Sequence, residues 1–350
     1  MKLYGRTWTR REIEARVGLV EQIGGLRRYR LTDGSEDGVE QVHVRTGAGL
    51  EYSVAPQRGL DVSLAAFAGT PLSWQSPNRL CHPSYFRPEG TEWLRTAAGG
   101  LLMTCGMRQV GSPCEDNGEE LGIHGRLHHT PAHEVAATSG WEGDEFEMRV
   151  SGTLHEARIF GENLVLHRSI RSRLGENRLC IHDRVENIGF LASPLMMLYH
   201  FNFGFPLVQP GVKLAFPSKT VVPREEATPL DGHDRWDDPD PHYRERVYYH
   251  TDLATAKDAR TGREMAEAVI ENPAFPVGDE VRPLRVRLRW DTATLPNLVQ
   301  WKNPGAGTHV LGIEPANCLV GGRACERERG SLVHIEPGGS QEFFLEMVVD

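Results

Sequence analysis

The chain has 350 residues, with 48 acidic side chains against 39 basic ones and a formal net charge of −9. Its 37 glycines and 22 prolines are scattered rather than tandem, which marks many turns and excludes a fibre or a disordered tract. The acidic balance excludes a nucleic-acid binder, since phosphates need a clustered basic surface.

In chain order, the first eight residues, Met1 to Trp8, mix charge and aromatics where a signal peptide needs an apolar run. Residues 9–17 have the composition of one helix, which Gly18 terminates. Leu50, Tyr52 and Val54 alternate with polar or small residues as in a strand with one wet face. A short helical turn is expected near Glu92–Ala97. Leu179, Ile181 and Val185 form another alternating run, as do Leu284, Val286, Leu288 and Trp290, and finally Phe343, Leu345, Met347 and Val349. Turn signals separate these runs, among them Asp33-Gly34, Pro210-Gly211 and Pro337-Gly338-Gly339. The polar stretch 223–245 reads as a long surface loop lying over a site rather than as a domain linker.

With helical periodicity scarce and no βαβ rhythm, the expected fold is all-β: one large antiparallel β-sandwich over residues 1–350. Residues 1–40 would supply an N-terminal extension and first strands. No stretch approaches the roughly 18 apolar residues of a membrane span. The six cysteines are dispersed without a CxxC pair, so buried free thiols in a cytoplasmic protein are expected.

Several chemistries lack their motifs. There is no glycine-rich phosphate loop, no GxSxG elbow, and His133-Glu134 does not continue into HExxH. Four histidines (124, 128, 129 and 133) fall within ten residues. On a strand, His124 and His128 would share a face, while His129 and His133 would point the other way. The HxH pattern of β-barrel metal sites is missing, and no metal is expected.

Three segments carry the functional signal. The first is Gly99-Gly100-Leu-Leu-Met-Thr-Cys105-Gly-Met-Arg-Gln-Val-Gly111 with the following His124-Gly125-Arg126. The second is Leu198-Tyr199-His200-Phe201-Asn202-Phe203-Gly204, and the third is Leu311-Gly312-Ile313-Glu314-Pro315-Ala316-Asn317. Together with Gln57-Arg58-Gly-Leu-Asp61 upstream, they resemble the galactose-mutarotase-like superfamily of aldose 1-epimerases and hexose-phosphate epimerases. The likeness lies nearest an uncharacterised aldose 1-epimerase branch and spans roughly residues 40 to 350. It departs from the well-studied mutarotases in the shorter spacing from His200 to Asn202, in His124-Gly-Arg in place of His-Gly-Gly, and in Glu314-Pro-Ala-Asn.

The resemblance implies a supersandwich fold with few short helices and a cofactor-independent isomerase of carbohydrate metabolism. Such an enzyme interconverts the anomers of a free sugar, sugar acid or sugar derivative. Glu314 would be the base, His200 the acid that protonates the ring oxygen, and His124 a donor to the same end of the sugar. Arg58, Arg126, Asn202, Trp301 and Lys302 would bind substrate. Competing assignments are a structural ion pair for Glu314, a core imidazole for His200, a turn brace for Arg58 and a core position for Trp301. Competing functions are a uronate or keto-sugar isomerase or lyase using the same groups, and a non-catalytic sugar-binding protein. The expected partner is a small carbohydrate, with no nucleic acid and no membrane, in a monomer or homodimer.

Overall fold

The computed structural model describes all 350 residues. The alternating runs form strands where their period demands: Leu50–Ala55, Arg178–Asn187, Glu280–Asp291 and Ser340–Val349. All pairings within the three main sheets are antiparallel. The largest sheet orders its strands as His133–Glu142, Glu145–Ala157, Asn163–Arg173, Arg178–Asn187, Ser340–Val349, Glu280–Asp291, Glu264–Val277 and Lys213–Ala215, with Ala256–Lys257 attached to the side of Glu264–Val277. A six-stranded sheet runs Leu102–Met107, Met196–Phe203, Val310–Ala316, Asn297–Asn303, Arg246–Leu253 and Ser218–Pro223. A five-stranded sheet runs from Gly25–Arg30 through Glu40–Arg45, Leu50–Ala55 and Asp61–Phe67 to Thr70–Pro71.

One continuous core joins the inner faces of these sheets. It includes Val150, Leu166, Ile181, Leu288, Trp290 and Leu345 from the large sheet, Tyr199, Phe201 and Ile313 from the six-stranded sheet, and Tyr52 and Val54 from the third. Leu3 and Ile13 belong to the same core, so the first residues pack onto the sandwich. The period-two alternation that makes each strand amphipathic here becomes the contact between layers.

Helix is limited to two short segments and a few 3-10 turns. The first helix is Arg10–Glu14, with Thr9 as N-cap in a capping box with Glu12. It is shorter than the 9–17 expected, because Arg16 and Val17 bond back to Ile13 as a closing turn. The 3-10 turn Glu92–Arg95 stands where a turn was expected and buries Trp93. The second helix, Arg323–Glu328, has no counterpart in the sequence reading. No helix is long and apolar enough to cross a membrane. The cysteines are free; Cys81, Cys105 and Cys318 are buried, but Cys325 is exposed, against expectation.

Candidate active site

The six-stranded sheet has two unlike faces. Tyr199, Phe201, Leu311 and Ile313 point into the main core, so their strand neighbours Leu198, His200, Asn202, Gly312, Glu314 and Ala316 project from the opposite face. A smaller apolar cluster of Met103, Cys105, Leu198, Val247, Val299 and Ala316 floors that second face. Register places His200 level with Met103, and Glu314 level with Val299.

Within this floor, His200 Nε2 lies 3.1 Å from Glu314 Oε1, and both side chains are buried. Burial pushes the His200 imidazole down to about 3 and the Glu314 carboxyl well above its ordinary range. Desolvation therefore drives each group toward its neutral form, a carboxylic acid beside an uncharged imidazole. His200 Nδ1 has no hydrogen-bond partner within the chain, and the Nε2–Oε1 approach is close without hydrogen-bond alignment. Buried polar atoms are seldom left so.

The surrounding groups define what can approach. Trp301 meets His200 edge-on with ring centres 5.5 Å apart, and Trp74 meets Trp301 at 5.9 Å. His124 lies 6.1 Å from His200, ring centre to ring centre. Its Nδ1 accepts from the Gly111 N–H at 3.3 Å, which leaves Nε2 to carry the ring proton. Burial lowers His124 to about 4, so at neutral pH it is an uncharged donor. Trp93 packs 5.1 Å from His124 and holds that ring from behind. Gly312 is the bare point of the floor: a Cβ there would stand 2.5 Å from Glu314 Oε1 and 3.3 Å from His200 Cε1.

Two charged residues join from the ends of the 223–245 loop. Glu245 Oε2 accepts from Trp301 Nε1 at 2.9 Å, and Arg224 Nη2 lies 3.6 Å from Glu245 Oε1. Their charges act on Glu314 in opposite senses: Glu245 raises its proton affinity and Arg224 lowers it. Neither residue stood out in the sequence, where both lie in a stretch crowded with like charges. Gly312 did carry a signal, because a glycine two residues before Glu314 on a strand must share its face.

The structure brings Glu314, His200, His124 and Trp301 together. Asn202 is buried beside them; its Nδ2 donates to the Gly100 carbonyl and the His200 carbonyl, so it braces the His200 strand. Three expected binding residues lie elsewhere. Arg58 is fully buried and donates to the carbonyls of Cys81 and Thr96 at 2.6 and 2.7 Å, so it locks two loop segments together. Lys302 follows Trp301 on a strand and so points to the opposite face, where its Nζ meets Asp237 at 2.7 Å and the Gly232 carbonyl at 2.8 Å. Arg126 is exposed and lines a separate polar cavity of about 970 Å³ shared with Arg108, Glu119, Glu156 and Glu162.

The histidine cluster is also arranged differently from a strand. His124 sits in a loop at φ 58°, and His128 and His129 occupy the 3-10 turn Leu127–His129. His128 Nδ1 contacts Asp61 Oδ2 at 2.7 Å inside a buried network with Arg168 and Asp183, and His129 Nε2 bonds Thr96 Oγ1 at 2.9 Å. Both imidazoles are buried, and His133 is exposed.

The model of the family described as "Domain of unknown function (DUF4432)" matches residues 36–349. No curated protein matches. Among solved structures, the chain is similar to a Klebsiella pneumoniae protein provisionally described as an aldose 1-epimerase, at 23% identity over 93% of this chain and 83% of that one, with a TM-score of 0.80. A galactose mutarotase-like protein from Clostridium acetobutylicum aligns at 13% identity over 93% of this chain and 99% of that one, with a TM-score of 0.62. The galactose 1-epimerase from Lactobacillus acidophilus aligns at 14% identity over 93% of this chain and 98% of that one, with a TM-score of 0.51. These likenesses establish the galactose-mutarotase-like sandwich.

Proposed function

Since the chain belongs to DUF4432, a family described by no activity, we infer its function from the Glu314–His200 face: it interconverts the anomers of an aldose or aldose derivative. The observation that supports this reading is a buried carboxyl and imidazole whose Oε1 and Nε2 lie 3.1 Å apart on the face of the sheet turned away from the main core. Anomer exchange needs one proton removed from O1 and one delivered to the ring oxygen while the C1–O5 bond breaks. Rotation about the C1–C2 bond and the reverse transfers close the other anomer. A pair that carries one proton, and can take it up at either end, suits both halves of this cycle.

In ring opening, Glu314 takes the O1 proton and His200 delivers one to the ring oxygen; closure reverses the two transfers. Burial favours the neutral pair in the free protein, so the hydroxyl of a bound sugar supplies the polar contact under which the proton moves to the imidazole. His124 donates its Nε2–H to the oxygen on which charge develops. Trp301 and Trp74 offer apolar ring edges to the sugar's C–H groups.

NMR exchange spectroscopy across free sugars, sugar acids and sugar derivatives tests the reading. Glu314→Gln, which keeps the shape but removes the base, should lower the exchange rate on the active substrate by about 10²–10⁴-fold. Wild-type rates in that variant would refute the assignment. Incubation in D₂O should leave the sugar carbons unlabelled, because no C–H bond is broken; carbon labelling would instead mark isomerase or lyase chemistry.

A further inference from the structure

Three neighbouring strands of the large sheet end together in two loops that expose large apolar side chains. Strands Glu145–Ala157 and Asn163–Arg173 are joined by the tip at residues 158–162. Strand Arg178–Asn187 pairs with Asn163–Arg173, Leu164 opposite Asn187, and leads directly into the turn at residues 188–192. The Ile188 N–H donates to the Asn163 carbonyl, which sets the base of one loop beside the other, and Asn187 Nδ2 donates to the Leu191 carbonyl, which fixes the second loop on itself. On them Phe160 is fully exposed, Phe190 94%, Leu191 81% and Ile159 83%, with Ile188 about half exposed.

Isolated exposed apolar residues are ordinary, but five large ones on two adjoining loops are not. At about 200 Å² for each large side chain, the five present on the order of 800 Å² of apolar surface. That is the area each partner contributes to a standard protein–protein interface, roughly 800 Å². The charge around the patch is internally balanced. Arg158 lies 3.3 Å from Glu162, and Glu186 2.8 Å from Arg184. With a net charge of −9 on the chain, there is no cationic surplus to hold an anionic lipid surface.

We propose that this end of the large sheet is the interface of a homodimer, in which the loops 158–162 and 188–192 of two copies pack on one another about a two-fold axis. An apolar patch flanked by internally paired charges suits an isologous contact, where the same surface of each copy meets about the axis. Arg158 and Glu162 also line the 970 Å³ polar cavity, so pairing would set one edge of that cavity against the second copy.

Size-exclusion chromatography with light scattering, over about 1–100 μM protein, should give twice the 39.1 kDa chain mass. The double variant Phe160→Asp/Phe190→Asp should run as a monomer throughout. Leu19→Asp, at another exposed apolar position, should leave the dimer intact. Hydrogen exchange of the wild type should show residues 158–161 and 188–191 losing protection on dilution, a readout that needs no variant to fold. A monomeric wild type at 100 μM, or a double variant that remains dimeric, would overturn the proposal. So would flotation of the wild type with phosphatidylcholine–phosphatidylglycerol vesicles that the double variant loses, since the patch would then serve a membrane.

Discussion

At position 312 the absent side chain matters as much as the charged ones two residues further on. Glu314 Oε1 occupies the space that a Cβ on Gly312 would claim, and the Trp301 Cβ lies 2.9 Å from the same point on the other side. Gly312→Ala must therefore displace the carboxyl, the imidazole or the tryptophan. It should cost about 1–3 kcal/mol of stability through overpacking. It should also slow anomer exchange by about 10²-fold or more, because a misplacement near 1 Å at an acid–base pair has that effect. Denaturant titration and exchange NMR on the same preparation separate the two effects. Asn202→Ala should behave differently: its side chain braces the His200 strand through two carbonyls, so stability should fall by about 1–3 kcal/mol as buried acceptors lose their partner.

Among the elements, the helix Arg323–Glu328 is held from outside. Arg323 Nε and Arg327 Nε each donate to Asp116, at 2.6 and 2.7 Å, and Arg323 also reaches Glu119 at 2.6 Å. Arg323 and Asp116 are both buried. Asp116→Asn would leave the Arg323 charge leaning on Glu119 alone and should cost about 3 kcal/mol, measured by chemical unfolding. Nothing in the six-residue helix betrays it in one dimension, since its docking is by ion pairs across more than 200 residues and it has no apolar stripe. The long strands were legible for the opposite reason: Leu284 to Trp290 alternate because one face of that strand is core and the other is wet. The placement of the candidate pair follows from the same alternation. His200 and Glu314 each sit one residue away from core aromatics or aliphatics, so period two places both on the outer face. For Arg58 the structure favours the bracing alternative over substrate binding, and its partners, the carbonyls of Cys81 and Thr96, are set by loop packing that no spacing reports. Trp301 and Lys302 could have been separated from sequence, since adjacent residues on a strand cannot line one site.

For the whole molecule, burial has a pH signature. His124 and His250 are lowered to about 4, and His128 and His129 fall well below their ordinary value, all chiefly by desolvation. Unfolding releases these rings to titrate near 6.5. Between that value and about 4, the unfolded chain binds protons that the folded one refuses. Each ring then removes about 1.4 kcal/mol of stability per pH unit as pH falls. Asp61, raised to about 6 by burial, works the other way from about pH 6 down to 4 and offsets one of these rings, while the raised Glu314 carboxyl opposes the lowered His200 imidazole in the same sense. The net expectation is full stability above about pH 6.5 and a steep loss toward pH 4, checked by urea midpoints at half-unit steps. A flat profile would mean that these rings are hydrated in solution.

The strand Val310–Ala316 devotes its odd-numbered Leu311 and Ile313 to holding the sandwich together and its even-numbered Gly312 and Glu314 to the proposed site, and Met196–Phe203 divides its residues in the same way. Core and site are thus written in alternating letters of one text. A single inserted or deleted residue would exchange them, burying the acid–base pair and exposing aromatics, so these strands cannot drift in length. Freedom to alter what is bound lies in the loops. Arg224 and Glu245, at the two ends of a stretch outside the flanking strands, can change without shifting that register.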